Sequence, residues 1–443
     1  MRTAEASPMH ATQGVAGAVW HALLWLVAGN AIGVLLAVLL LVPSINPWLG
    51  AWTYGRWMMV HMNVALYGWC SLPMAAFLFK VYGADRGSLG AWCRSVLWLW
   101  SGALVVGSAS WLSGHSSGKL FLDWSGFARV FFPFAMMGLW LLLAVAFVRE
   151  ARLAGGGLDA ARIAKLAGLV VLLAVPLAIY FASDPTIYPA INPDTGGPTG
   201  ESQLESSLAI VLIALMLPFG LTHRIATRTR IVAGSWILLV AEAALCSFLN
   251  RGDVSHHQPA QFLSLSVVVL WLPIMPIYYG AFAWHAETRR WRTAFLWWWG
   301  GLVVSGWLFF LPGVLDRFKF TDGLVGHSLT AVAGFVTALL IFVMVQLIGE
   351  EDAWIFNRQW SFQAWNMGVL AYVLVMTAAG WIESANPAFT IAPGAERNTL
   401  YILRLLTGVA MLAASMEWLI AASSLPAISV NHLIETKGAK VAA

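Results

Sequence analysis

The chain has 443 residues, of which 60% are hydrophobic and only 10% charged, and its mean hydropathy is +0.75. A soluble domain carries about 25% charged residues, so this composition excludes a soluble enzyme. The net charge of +4 is an asymmetry between loops rather than a basic patch, and points to no nucleic-acid partner.

Stretches of roughly 20 apolar residues, each enough to cross a bilayer core as a helix, recur along the chain. They are continuous rather than alternating, which argues against a transmembrane barrel. The expected fold is all-α, a polytopic membrane protein with about twelve transmembrane helices. The first span, 17–42, follows a polar segment and is too long for a cleaved apolar core, so it is expected to stay as a signal anchor. The second, 57–82, carries His61 about five residues in, with Arg56 just before it. The third, 93–113, is followed by His115, and 127–149 and 162–183 form the fourth and fifth. After the long loop "SDPTIYPAINPDTGGPTGESQLESS", holding Glu201 and Glu205, comes a short sixth span, 206–223. The seventh, 230–249, contains Glu242, and His256–His257 lie between it and the eighth, 260–283. The ninth is 293–315 and the tenth, 325–348, opens with His327. The eleventh is 362–381, and the last, 399–423, holds Arg404 near its start.

The basic residues set an orientation. Arg86, Lys80 and Arg94, then Arg149, Arg152, Arg162 and Lys165, then Arg224, Arg228 and Arg230, then Arg289, Arg290 and Arg292 all fall on one side. That side is expected to be cytoplasmic, with both termini on it, in a bacterial inner membrane. Trp and Tyr near span ends read as interfacial anchors. The residues 1–443 read as one membrane domain. Cys70, Cys93 and Cys246 are scattered, with neither metal-ligand spacing nor a C-x-x-C-H haem attachment.

An ionisable group inside a span is costly and is by default a functional hypothesis. His10, His21, His223, His285 and His432 sort to the inner side and read as interfacial or solvated groups. His61, His115, His256, His257 and His327 sort to the outer side. At ~1.5 Å rise per residue, His61 and His327 lie roughly 5–8 Å below the outer surface. Two imidazoles at one depth on separate helices suit haem iron. The apolar macrocycle tolerates a helix bundle, and cations such as Arg56 and Arg404 suit its propionates. The other reading of the same residues is hydrogen bonding between helices.

Several segments, in order, resemble the catalytic subunit of haem–copper oxidases, closest to cbb-type cytochrome c oxidases and nitric oxide reductases. "GRWMMVHMNVALYGW" is similar to the family's Gly-Arg…His-x-Asn segment, and implies that His61 binds a low-spin haem. "SGHSSGKLFLDW" is similar to the connection between the third and fourth spans. "TDGLVGHSLTAVAGF" resembles the Thr-Asp-x-x-x-Gly-His-x-His segment, and "LRLLTGV" the last-span segment whose arginine meets propionates. The resemblance implies a subunit I-like bundle with one or two haems b, a c-type cytochrome as electron donor, and dioxygen or nitric oxide as the gas reduced.

The chain also departs from that pattern. Where the family has His-x-His, it has His327–Ser328–Leu329. Either His327 is the high-spin ligand and Leu329 replaces the low-spin one, or the helix is rotated and His327 pairs with His61. The copper ligands are altered too: Glu201 and Glu205 stand where a histidine is expected, and Glu205 matches the glutamate of nitric oxide reductases. His256–His257 lie late for a metal pair. The tyrosine of the seventh span is missing, and Glu242 is the ionisable group nearby, either a proton relay or a carboxyl at a helix contact. A second metal is therefore doubtful. The competing function is a membrane scaffold or transporter that kept the fold without cofactors.

Overall fold

The computed structural model describes residues 11–85, 87–119, 122–153, 159–191, 204–249 and 258–425. Among them there is no β-strand, and long helices dominate. In chain order they are α1 (Gln13–Leu41), α2 (Tyr54–Tyr82), α3 (Leu89–Leu112), α4 (Gly126–Leu153), α5 (Ala160–Ala182), α6 (Leu204–Leu221), α7 (Ala226–Leu249), α8 (Pro259–Tyr279), α9 (Arg289–Phe309), α10 (Asp322–Ile348), α11 (Gln359–Ala385) and α12 (Ala395–Ala422). Ten of the twelve are long and apolar enough to cross a membrane. The other two are α6, whose apolar part is short, and α9, a Trp-rich helix of 21 residues. His10, His256, His257, His432, Glu201 and Arg86 lie outside the described residues, and so does the side chain of Glu205.

Successive helices run antiparallel and mostly pack on their neighbours in sequence. Chain reversal closes the bundle by laying α12 along α1, where Asn30 Nδ2 donates to Ser415 Oγ at 3.0 Å. The centre is α10. Its most apolar stretch is 72% buried inside the protein, against 17% for the peripheral α5. Its inner half, from Thr337, is apolar on all faces, as a helix surrounded by other helices must be. It packs on α2, α6, α9 and α11.

The tryptophans do more than anchor span ends. Trp69, Trp271, Trp291, Trp365 and Trp418 are fully buried. Lipid supplies little hydrophobic force between helices, so polar ties gain importance. The indole N–H provides them: Trp69 donates to Thr337 Oγ1 (2.9 Å), Trp299 to Trp271 O (2.9 Å), Trp365 to Ala333 O (3.0 Å) and Trp418 to Ser361 Oγ (3.1 Å). His21 is likewise not the solvated interfacial group expected. It is buried in α1 with Nδ1 2.8 Å from Ser101 Oγ of α3, because the small serine leaves room for the ring.

Candidate haem site

His61 and His327 come from the two helices that shape the middle of the bundle. His61 lies seven residues past Tyr54, and His327 five past Asp322, so both sit near the N-terminal ends of their helices. Each is followed, three residues later, by a seven-residue π-helical segment: Val64–Cys70 in α2 and Thr330–Val336 in α10. A π segment inserts an extra residue into the helical ladder and re-aims the side chains around it. Such segments concentrate at functional sites. Past the histidines the two helices meet where Trp69, inside the first π segment, donates to Thr337 just after the second. Packing between the two helices is concentrated there and along their inner halves rather than at their histidine-bearing ends.

The His61 ring is held from one side. Its Nδ1 lies 2.8 Å from the carbonyl oxygen of Gly29 on α1. A carbonyl only accepts, so this bond fixes the neutral tautomer with the proton on Nδ1 and leaves the Nε2 lone pair free. That is the arrangement in which imidazole binds iron, with the second nitrogen orienting the first. One turn along α1, Gly33 clears the ring: a Cβ there would stand 3.0 Å from His61 Cε1. Val34, next to Gly33, touches α12 at Gly408, one turn below Arg404.

Arg404 is buried in a polar cluster above this level. Its Nε donates to the Tyr372 hydroxyl (2.7 Å), and its Nη1 lies 3.5 Å from Asp322 Oδ1. Tyr401 donates to Asp322 Oδ2 (3.2 Å), Tyr54 lies beside the guanidinium, and Glu383 Oε2 accepts from the Asp322 backbone N–H (2.7 Å). Residues from α2, α10, α11 and α12 thus meet around the Arg404 guanidinium. Arg56 turns the other way. Its Nη1 donates to Leu112 O at 2.9 Å, and its guanidinium lies over Gly114, in the connection after α3.

His327 faces α9. Nδ1 is 3.0 Å from Ser305 Oγ, Gly306 lies under the ring, and Phe309 packs against it with centroids 5.2 Å apart. Gly326, one residue before, faces α11 at Thr377 and Val373. At ~100° per residue, Leu329 is turned ~200° from His327, off the α9 face. The geometry brings His61 to α1 and His327 to α9, not to one another.

Glu242 is buried between α7 and α8, where its Oε2 accepts from Trp271 Nε1 at 2.7 Å and its Oε1 has no partner among the described residues. His115 is exposed in the connection after α3, edge-on to Phe127. No group of three or more His, Cys, Asp or Glu placed to hold a metal occurs among the described residues. Two features were missed from sequence. The π segments leave no distinct residue pattern. The Asp322–Arg404 pair was legible only as two separate motifs far apart in the chain.

No protein-family model matches the chain, and no curated protein matches it. A solved structure described as the cryo-EM structure of a heme-copper terminal oxidase dimer does. It superposes with a TM-score of 0.50 at 12% sequence identity, over 93% of this chain and 84% of that one. The chain shares the all-helical fold of that structure.

Proposed function

We propose that the chain is a haem-b-bearing respiratory membrane subunit that passes electrons from a c-type cytochrome to its haem and on to a small gas, dioxygen or nitric oxide, with the copper site lost. The observation that carries this reading is the His61 imidazole, held through Nδ1 by Gly29 O and cleared by Gly33. Bound there, haem supplies one-electron redox chemistry and an iron able to take a diatomic ligand. His61 would hold the group through Nε2, and Gly29 O keeps the proton off that nitrogen. Arg404, with Tyr54 and Tyr372 beside it, would meet the carboxylates of the group. Leu329 supplies no second imidazole. His327, on the α9 side, would hold a second haem. Glu242, through its unpartnered Oε1, and Glu205, at the start of α6, are the proton-holding groups. The donor cytochrome docks at the histidine end, outside a bacterial inner membrane, with both termini cytoplasmic.

One observation favours the competing reading of a cofactor-free scaffold: Arg404 already has a carboxylate partner in Asp322. Colour separates the two. Chain expressed with excess haem precursor is expected to show b-type Soret and α bands and a positive pyridine haemochrome assay, with no stoichiometric copper. His61→Ala and Gly33→Val, which crowds the imidazole, are both expected to lose the His61-dependent signal. A colourless, folded wild type overturns the haem reading in favour of the scaffold.

A further inference from the structure

At the opposite end of the bundle from His61, a cavity of about 380 Å³ lies between the C-terminal turns of α2 and α4 and the N-terminal turns of α3 and α5. Its lining includes Lys80, Arg149 and Lys165 against one carboxylate, Glu150. Glu150 is committed to Lys165, with Oε2 2.7 Å from Nζ. Arg149 donates to the Ser88 hydroxyl at 3.1 Å, and neither it nor Lys80 has a carboxylate partner among the described residues. Gly87, at φ +59°, turns the chain into α3, whose first turn joins the wall. The N–H ends of that turn add positive potential to the space.

A second cavity, of about 560 Å³, shares Arg149 and Leu153 of its lining with the first. It runs along α4 over Ala144, Val145 and Val148, where its lining is apolar, and Arg152 stands at its end beside Arg149. Val148 is 46% exposed on this face. A cationic hollow at the end of the helices, next to an apolar groove along the exposed side of α4, has the polarity of one kind of molecule. A free anion uses only the hollow, and a neutral lipid leaves Lys80, Arg149 and Arg152 unmatched.

We propose that this is a binding site for an anionic phospholipid, the phosphate of its head group held by Lys80 and Arg149 and an acyl chain lying along α4 over Val145 and Val148. The site is independent of the haem reading. Basic hollows between transmembrane helices hold anionic head groups through charge, while the groove contributes apolar contact. The arginine supplies a planar fork for phosphate oxygens, and the lysine a point charge opposite.

The test is native mass spectrometry of the full-length chain purified in detergent, titrated with phosphatidylglycerol, phosphatidylcholine or inorganic phosphate. Phosphatidylglycerol is expected to be retained where phosphatidylcholine is not. Lys80→Ala with Arg149→Ala is expected to lower its occupancy by about ten-fold or more. Lys80→Gln, which keeps most of the stem, lowers it by a smaller factor and stands in if the double variant does not fold. Val148→Trp, filling the groove, is expected to weaken phosphatidylglycerol while leaving inorganic phosphate unaffected. Equal retention of the two lipids overturns the proposal, as does wild-type occupancy in a folded charge variant. Phosphatidylglycerol binding insensitive to Val148→Trp and fully displaced by inorganic phosphate reduces the site to a free-anion site and also overturns it.

Discussion

Asp322 and Arg404 show what a single pair can carry in this bundle. Their side chains are only 13% and 7% exposed, and Tyr401 and Tyr372 add a hydrogen bond to Asp322 and Arg404 respectively. Removing one member of a buried pair strands the other, at a cost of about 3–5 kcal/mol, whereas removing both is far milder. Arg404→Ala is therefore expected to lower the thermal midpoint sharply. Asp322→Asn in the same chain is expected to recover a large part of the loss, as read by a double-mutant cycle. Additive losses would show that the two side chains are not coupled. Both residues were picked out or spanned by sequence motifs, but their contact was not, because it joins residues 82 positions apart. Conversely, Arg56 was read as a partner of the same cofactor edge, and its guanidinium is engaged instead by the Leu112 carbonyl.

Helices α10 and α11 make the closest approach between elements. A Cβ on Gly380 would fall 2.0 Å from the backbone nitrogen of Gly323, and Gly326 faces the carbonyl of Val373. Such contacts let dispersion act between backbones where lipid gives no apolar driving force. Gly380→Ala is expected to push the helices apart, with a cost at or above the about 1–3 kcal/mol typical of overpacking. A melting temperature unchanged from wild type would show that the helices do not meet there. The same close packing holds the outer half of α10 against α11. Past the π segment that follows His327, Thr337 accepts from Trp69 of α2. The packing partner of α10 thus changes along its length, from α11 at the Gly323 end to α2 beyond the π segment.

At the scale of the whole molecule, the connection after α3 and the start of α4 tie onto α5. The segment after α3 covers the end of α5, whose last carbonyls need donors. Lys119 Nζ donates to Ala182 O at 2.7 Å, and Arg129 donates through Nε and Nη2 to Tyr180 O. Arg129 also pairs with Asp184 at 3.2 Å. The Asp184 carboxyl is held below its ordinary value first by the Thr186 backbone N–H and hydroxyl, and then by Arg129. A carboxylate depressed in the folded state adds stability above its unfolded value, near pH 4, and loses it as pH falls through the lower folded value. Asp184→Asn is accordingly expected to melt below wild type at pH 7, with the gap closing as the pH drops toward about 3. A gap that is constant with pH would rule out this linkage.

What the chain's composition and apolar periodicity determine on their own is the class: an all-helical membrane protein. Bilayer thickness and the cost of burying charge act locally along the chain, so they leave a readable trace. The same cost singled out His61 and His327 as candidates, and the resemblance of the segments around them pointed to the fold. The direction each histidine faces was decided only by tertiary structure. The choice between pairing with His61 and facing elsewhere turns on helix rotation, π segments and the packing of α10 against α9 and α11. Those are set by contacts between residues far apart in sequence, to which the hydropathy of any one segment is blind.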